Sequence, residues 1–364
     1  MVDRIGFGVI GCGAIANIWY LPQLQRLADQ GIELVAVADL VAEKAEAARA
    51  RYGARLATTD YREVLERPDI QAVVIATTIA THAPIAIEAL RAGKHVLLQK
   101  PIATSLAEAD QVIAAARASG CKLQVEPAHR LHPLAQRARH LIAEGAIGQV
   151  CLVKARSAHG GPPDRPWFYR RDQGGSVVFD MGVHALHWLL AVAGPARRVT
   201  AFARTSVPVR TVNGQPVEVD IEDNAVLLLD LQNGALGVVV TNYCTQAQLV
   251  PQVEIYGTAG TLYLNAPQGG LLLYSQRAQY CGESGWLVAT REVGHQARVL
   301  DVAGLRDTPT MRAVSSLEHF IECLRTGRDP VPSGEDARHT LEIMVRALTA
   351  AETGQAQTLT TTTA

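Results

Sequence analysis

Over roughly the first 125 residues, short apolar runs rich in β-branched residues alternate with stretches of helical periodicity. That is the order a parallel sheet with crossover helices requires. The runs lie at 5–10, 33–38, 71–76, 94–98 and 122–125, and helices are predicted at 41–52, 83–92 and 106–119. Gly93 and Gly120 stand where the last two helices should stop. The rhythm changes after Glu126-Pro127. Pro133 opens a helix with Leu134, Ala138, Leu141 and Ile142 on one face. Strand-like runs follow at 150–157, 198–204, 224–231, 235–243, 252–256, 261–264 and 271–274. Turn signals at Asn233-Gly234 and at 257–260 separate several of them, as in an antiparallel meander. Helical stretches are predicted at 181–193, 315–325 and 334–352, and the threonine-rich tail at 358–364 reads as a frayed end or an edge strand. The expected fold is α/β followed by α+β. A doubly wound parallel sheet occupies 1–126, and an open, mostly antiparallel sheet with helices on one face occupies 127–364.

Composition narrows the class of partner. A chain of 364 residues is too long for one ordinary core, and its 48% apolar content can fill two. Thirty-four basic residues against 35 acidic ones leave a formal charge of −1, so no whole-molecule field attracts nucleic acid or an anionic membrane. Six cysteines (Cys12, Cys121, Cys151, Cys244, Cys281, Cys323) show no Cys-x-x-Cys spacing and read as reduced thiols of a cytosolic protein. The first strand begins within five residues of Met1, leaving no room for a signal peptide, and no apolar run approaches membrane-spanning length. The expected location is cytoplasmic.

The first strand runs directly into Gly11-Cys12-Gly13-Ala14-Ile15-Ala16, and a helical pattern follows. In such a turn Gly11 permits the tight bend, Gly13 lets the backbone approach a pyrophosphate, and Ala16 still allows close helix–strand packing. The second strand ends at Asp39, 26 residues after Gly13. That is close to the roughly 20-residue offset of an acid that binds both ribose hydroxyls and repels a 2′-phosphate. Its neighbour Leu40 offers no cation to a 2′-phosphate, so NAD is expected over NADP. Polar residues close the other strands too: Thr77-Thr78 and Gln99-Lys100. Ligands bind doubly wound sheets along that edge.

Chemistry is expected further on, at Asp180 and His184. Four residues apart on a helix, they share one face, and at 100° per residue His187 joins the stripe. A carboxylate beside an imidazole fixes its tautomer and raises its basicity, which suits a general base. Two other readings exist: a helix-start cap on a solvated face, or a metal ligand set of Asp180, His184 and His187. Lys100, just before Pro101, is either a surface lysine at a strand stop or an ammonium placed to stabilise a substrate alkoxide. The loop at 159–171, from His159 onward, is rich in aromatic and cationic groups. Trp167 or Tyr169 could stack on a sugar face and Arg170 could bind hydroxyls or a carboxylate, or the aromatics only pin the loop to the sheet. Arg130 and Tyr20 are further substrate candidates, and Tyr243, at a strand end, is weaker.

Taken in order, Gly11–Ala16, Ala76-Thr77-Thr78 with His82, Ala92-Gly93-Lys94-His95-Val96-Leu97, Lys100-Pro101, the Gly174-Gly175…Asp180…His184 stretch and Ser333-Gly334-Glu335-Asp336-Ala337 form a set. It resembles the glucose–fructose oxidoreductase/inositol dehydrogenase (Gfo/Idh/MocA) family from about residue 4 to about residue 355. The resemblance implies a Rossmann domain and an open-sheet domain, a bound NAD(P), sugar or polyol substrates, and dimers or tetramers formed through the open sheet. It maps the family's catalytic lysine onto Lys100, its aspartate onto Asp180 and its histidine onto His184. Cofactor contacts fall on Gly11, Gly13, Ala14, Ile15, Asp39, Leu40, Thr77, Thr78, His82, Gln99 and Lys100. Two positions depart from the pattern: Gln99 replaces a usual glutamate, and Thr78-Ile79 replaces a common Pro-Asn. The implied activity is NAD-dependent oxidation of a secondary alcohol of a sugar, glycoside or cyclitol. His184 would take the hydroxyl proton, Asp180 would orient it, and Lys100 would hydrogen-bond the developing alkoxide. An alternative is a redox-neutral glycosidase or lyase working through a transient keto-sugar.

Overall fold

The computed structural model describes residues 4–266, 270–280, 286–293, 296–298 and 314–361. Cys281 and the last three residues of the threonine-rich tail lie outside them. The chain forms two compact units. The first is Met1–Pro127 with Ser315–Leu341, and the second is Ala128–Val314 with Glu342–Ala364.

Six strands build the first unit: β1 (Ile5–Ile10), β2 (Ile32–Ala38), β3 (Leu56–Thr58), β4 (Ala72–Ile75), β5 (His95–Leu98) and β6 (Leu123–Val125). All pair in parallel in the order β3-β2-β1-β4-β5-β6. Strand order therefore reverses between β1 and β4, the switch point where such sheets open a crevice for ligands. β1 and β4 are buried along their whole length, which is why both read as continuous apolar runs. Helices Ala42–Tyr52, His82–Arg91 and Leu106–Ser119 make the crossovers; the last begins with a capping box between Ser105 and Glu108. Helix Ser316–Thr326 belongs here as well. Its Leu317, Phe320 and Ile321 join the core around Phe7, with the Phe7 and Phe320 rings edge-on at 6.5 Å. The contiguous division at residue 126 read from the sequence therefore differs from the structure. A segment more than 180 residues downstream returns to complete this core.

The second unit contains β7 (Val150–Ala158), β8 (Ala196–Arg204), β9 (Val209–Val212), β10 (Gln215–Glu218), β11 (Asn224–Leu231), β12 (Leu236–Asn242), β13 (Val253–Gly257), β14 (Gly260–Leu264), β15 (Leu271–Ser275), β16 (Trp286–Val293), β17 (Gln296–Arg298) and β18 (Gln357–Thr358). β9 and β10 form a separate hairpin, and the other ten strands make one sheet in the order β17-β16-β15-β14-β13-β7-β12-β11-β8-β18. Every pair in that sheet is antiparallel except β7 with β12. Helix Val183–Ala193 covers β7 and β12 on one face and packs against helix Pro133–Ala143. Along β11, buried and exposed positions alternate without a break from Asn224 to Leu229. The tail is held as well as paired. The Glu342 carboxylate accepts the Thr360 and Thr361 main-chain N–H groups at 2.9 and 2.8 Å, along with both threonine hydroxyls. Burial alone would raise its pKa, but those bonds outweigh it and pull the carboxyl down to about 2. Among the described residues, no helix is long and apolar enough to cross a membrane.

Candidate active site

The candidate cofactor residues lie at the carboxyl ends of the first sheet. Gly11 adopts φ +93°, and a Cβ there would sit 2.6 Å from the Ala76 carbonyl oxygen, so only glycine lets the turn pass the end of β4. Gly13 is the opposite case. A Cβ there would meet nothing within 4 Å, which leaves open space over the turn where a pyrophosphate can approach the backbone. The Asn17 side chain donates to the Cys12 and Gly13 carbonyls at 2.8 and 2.9 Å, tying them back to the helix. Sequence reasoning missed Asn17, although it falls within one turn of the glycines. Asp39 does two jobs at once. Its Oδ2 accepts the Cys12 N–H at 2.8 Å and its Oδ1 the Val41 N–H at 2.9 Å. Leu40 beside it is 89% exposed, and Ile15 is also exposed. Burial, reinforced by the Asp39 charge, pushes the Cys12 thiol up to about 12.

Thr77 and Thr78 follow β4, and both are bonded to the Thr81 hydroxyl, which donates to the Thr78 carbonyl and accepts from the Thr77 hydroxyl at 2.8 Å each. His82 was expected to touch the cofactor, but its environment gives it another task. It is buried, with Nδ1 2.7 Å from the Pro101 carbonyl and Nε2 3.2 Å from the Thr77 carbonyl. A neutral imidazole carries one N–H, so only one of these carbonyls can accept it, and the shorter contact ties the ring to Pro101 after β5. Burial lowers its pKa. Tyr20 differs from expectation in the same way. The Gln99 amide donates to its buried hydroxyl, which in turn donates to Glu126 at 3.1 Å. A side chain so engaged is a strut, not a free substrate contact. The chain thus has a carboxylate, Glu126, one hydroxyl away from Gln99. Lys100 follows at the end of β5, its main-chain N–H donating to Gln99 Oε1 at 3.3 Å.

The candidate acid–base residues, Asp180 and His184, belong to the second unit. Asp180 lies in a π-helical turn, Val178–Gly182, that runs into helix Val183–Ala193 and His184. A regular α-helical wheel from residue 181 therefore describes only the later part of this stretch. Wide turns of this kind are frequent at functional sites, and Ala16–Tyr20 forms another just after the glycine turn. The buried Tyr243 hydroxyl donates to Asp180 Oδ2 at 2.8 Å. Nδ1 of His184, the atom a steering carboxylate would take, lies 3.3 Å from Nε2 of His129. His129 stacks on Trp188 with centroids 4.8 Å apart, and His132 meets the same indole edge-on. Burial lowers the pKa of His129 and of His187 to about 3 each; for His129, the neighbouring His187 and His132 push the same way. His187 is thus a neutral core imidazole. Among the described residues, no group of three histidine, cysteine or acidic side chains could hold a metal ion.

The loop candidates separate. Tyr169 is buried, its hydroxyl donating to the Pro162 carbonyl at 2.9 Å while the Arg210 guanidinium covers its ring, so it closes the loop and presents no face to a sugar. Arg170 faces Asp172 and Asp220 at 3.5 and 3.4 Å. Trp167 is half-buried against Phe168, with centroids 3.8 Å apart, and keeps some exposed ring. His159 is half-buried beside Tyr243 and accepts the Gly161 N–H at 2.8 Å. Arg130 is half-buried in the turn His129–Leu131.

Two family descriptions match this chain. Residues 5–127 match the oxidoreductase family with an NAD-binding Rossmann fold, and residues 135–263 match the GFO/IDH/MocA C-terminal domain. A dTDP-3,4-didehydro-2,6-dideoxy-alpha-D-glucose 3-reductase of Streptomyces violaceoruber is 32% identical over 93% of this chain and 92% of its own length. The chain belongs to the GFO/IDH/MocA family of NAD-binding oxidoreductases. The D-apiose dehydrogenase of Paraburkholderia graminis is 29% identical over 97% of this chain and 89% of its own length. Levoglucosan dehydrogenase in complex with NADH shares the fold, with a TM-score of 0.84 over 98% of this chain and 100% of that one, at 22% identity.

Proposed function

We propose that this family member oxidises a secondary hydroxyl of a sugar, glycoside or cyclitol, or reduces the corresponding ketone, with NAD as its redox partner. The observation that carries the reading is similarity along almost the whole chain to two proteins named for sugar redox chemistry, the didehydro-sugar 3-reductase and the D-apiose dehydrogenase. The residues fit it. Asp39 and the open backbone at Gly13 suit a dinucleotide, and when bound, NAD supplies the hydride acceptor. His184 is the group suited to take the hydroxyl proton, Lys100 is suited to donate a hydrogen bond to an oxygen on which charge develops, and Asp180, four residues before His184, is anchored by the Tyr243 hydroxyl. The test is a panel of free sugars, glycosides, sugar acids and cyclitols followed by NADH absorbance, run with NAD and separately with NADP. Sustained NADH formation with at least one carbohydrate is the expected result. Glycoside cleavage without NADH accumulation, or no turnover across the panel, overturns it.

The same reading includes a second copy of this chain as partner and a cytoplasmic setting. One face of the sheet carries Phe202 (73% exposed), Val226, Leu228 and Leu236, with Phe202 and Val226 directly opposed across β8 and β11. Contiguous apolar patches on a folded surface usually mark an association site. Sedimentation should show a dimer or tetramer that F202E dissociates into monomers; a monomeric wild-type chain at micromolar concentration refutes it.

A further inference from the structure

Two imidazole nitrogens facing each other at hydrogen-bond distance share one hydrogen: two N–H groups would repel, and two lone pairs would bond nothing. His184 Nδ1 and His129 Nε2 stand in that relation at 3.3 Å. The His129 ring cannot easily turn away, because it lies flat on Trp188, which His132 braces from its edge. His132 is itself held by accepting the Leu134 N–H at 3.2 Å, so the whole cluster is fixed by the start of helix Pro133–Ala143. Only two arrangements of the shared hydrogen exist. With the hydrogen on His129, Nδ1 of His184 is the acceptor and its Nε2 carries the other proton, so that atom is silent as a base. With the hydrogen on His184 Nδ1, its Nε2 holds the lone pair.

We infer that His129 is a positioning residue that accepts the His184 Nδ1–H bond and so leaves His184 Nε2 as the basic atom. This rests on the assignment of His184 as proton acceptor. A second observation supports it: burial, with His187 and His132 adding to it, keeps His129 neutral, so its Nε2 remains able to accept. When Nε2 of His184 takes up a proton, the Nδ1–H bond stays in place and no group has to rearrange. A neutral acceptor stabilises the resulting imidazolium less than a carboxylate would, so the base is not made too strong to release its proton. Titratable groups acting on His129 include His187, from the same helix as His184, and His132, from the turn before helix Pro133–Ala143, while Asp180, bonded by Tyr243, lies four residues before His184 in the chain.

The test compares H129F, H129Q and H184A. Phenylalanine keeps a ring on Trp188 without an acceptor, and glutamine offers a carbonyl oxygen near the position of Nε2. H129F should lower kcat roughly ten- to a hundredfold, the usual cost of losing the partner that orients a functional histidine. Its KM should change little and the acid limb of its pH–rate profile should move. H129Q should restore kcat to within about threefold and return the limb. The inference fails if H129F keeps both kcat and the limb, or if H129Q is as damaged as H129F. An active H184A instead defeats the underlying base assignment, whereas an inactive H184A beside a normal H129F defeats the role of His129 alone. Nitrogen-15 NMR of histidine-labelled wild-type protein reads the tautomer without any substitution. A protonated Nδ1 on His184 supports the inference, and a protonated Nε2 with a bare Nδ1 overturns it.

Discussion

Replacing His184 by alanine should lower kcat by roughly 10²–10⁴-fold, the span general-base assistance normally supplies, while the chain still binds NAD at close to wild-type affinity. The proposed cofactor contacts, Gly11 to Ile15 and Asp39, lie in the first unit, whereas His184 belongs to the second and is held there by its neighbours. K100M, which keeps the aliphatic stem and removes the charge, should cost about 10²–10³-fold, as for loss of one donor to a developing oxyanion. The two losses differ in kind. H184A removes the acid limb of the pH–rate profile, because no group then has to be deprotonated to accept the hydroxyl proton. K100M keeps that limb at a lower plateau. Steady-state rates across pH 5–10, with NAD affinity titrated separately, distinguish them. Either variant retaining more than about a tenth of wild-type kcat would remove that residue from the mechanism, being far below the expected loss.

Much of this was legible because it rests on backbone requirements that a sequence must state openly. Gly11 announces a turn no other residue makes, Gly13 a stretch of backbone left open beside it, and the paired apolar runs at 5–10 and 71–76 announce strands buried on both faces. What stayed hidden depends on how side chains are used up by partners far along the chain. Tyr20, His82 and Tyr169 have the right chemistry for a ligand, but Gln99 with Glu126, the Pro101 carbonyl, and Pro162 with Arg210 already engage them. Nothing in local spacing records that. His129 was overlooked for the converse reason. The segment His129-Arg130-Leu131-His132 is visible, yet only tertiary packing brings its first imidazole to His184, 55 residues later. The π turn at Val178–Gly182 follows no periodicity that a 100° wheel can detect. The β9–β10 hairpin was missed despite a plain signal: Asn213-Gly214, both at positive φ, is the preferred pair for a two-residue hairpin. β3, at three residues, is too short to leave a pattern.

Cofactor choice should turn on Asp39, through both of its oxygens. Each already accepts one main-chain N–H, Cys12 on one side and Val41 on the other, and a carboxylate oxygen has a further lone pair free for a ribose hydroxyl. D39N is therefore not a mild change. Its amide must turn an NH₂ toward one of those two N–H donors, so the variant loses the charge and also unsettles the glycine turn through Cys12. Hydrogen bonds to a charged group are worth about 1.5–3 kcal/mol, so NAD should bind roughly ten- to a hundredfold more weakly. D39S with L40R makes the complementary change. Serine removes the charge that opposes a 2′-phosphate, and position 40, 89% exposed in the native chain, gives an arginine room to meet it. The ratio of kcat/KM for NADP over NAD should rise by about two orders of magnitude in the double variant, since a charge–charge repulsion is replaced by an ion pair at one position. Titration calorimetry of both dinucleotides settles the matter. Wild-type protein that binds NADP more tightly than NAD, or a double variant that keeps its preference for NAD, would show that selection at the ribose is made elsewhere than at the end of β2.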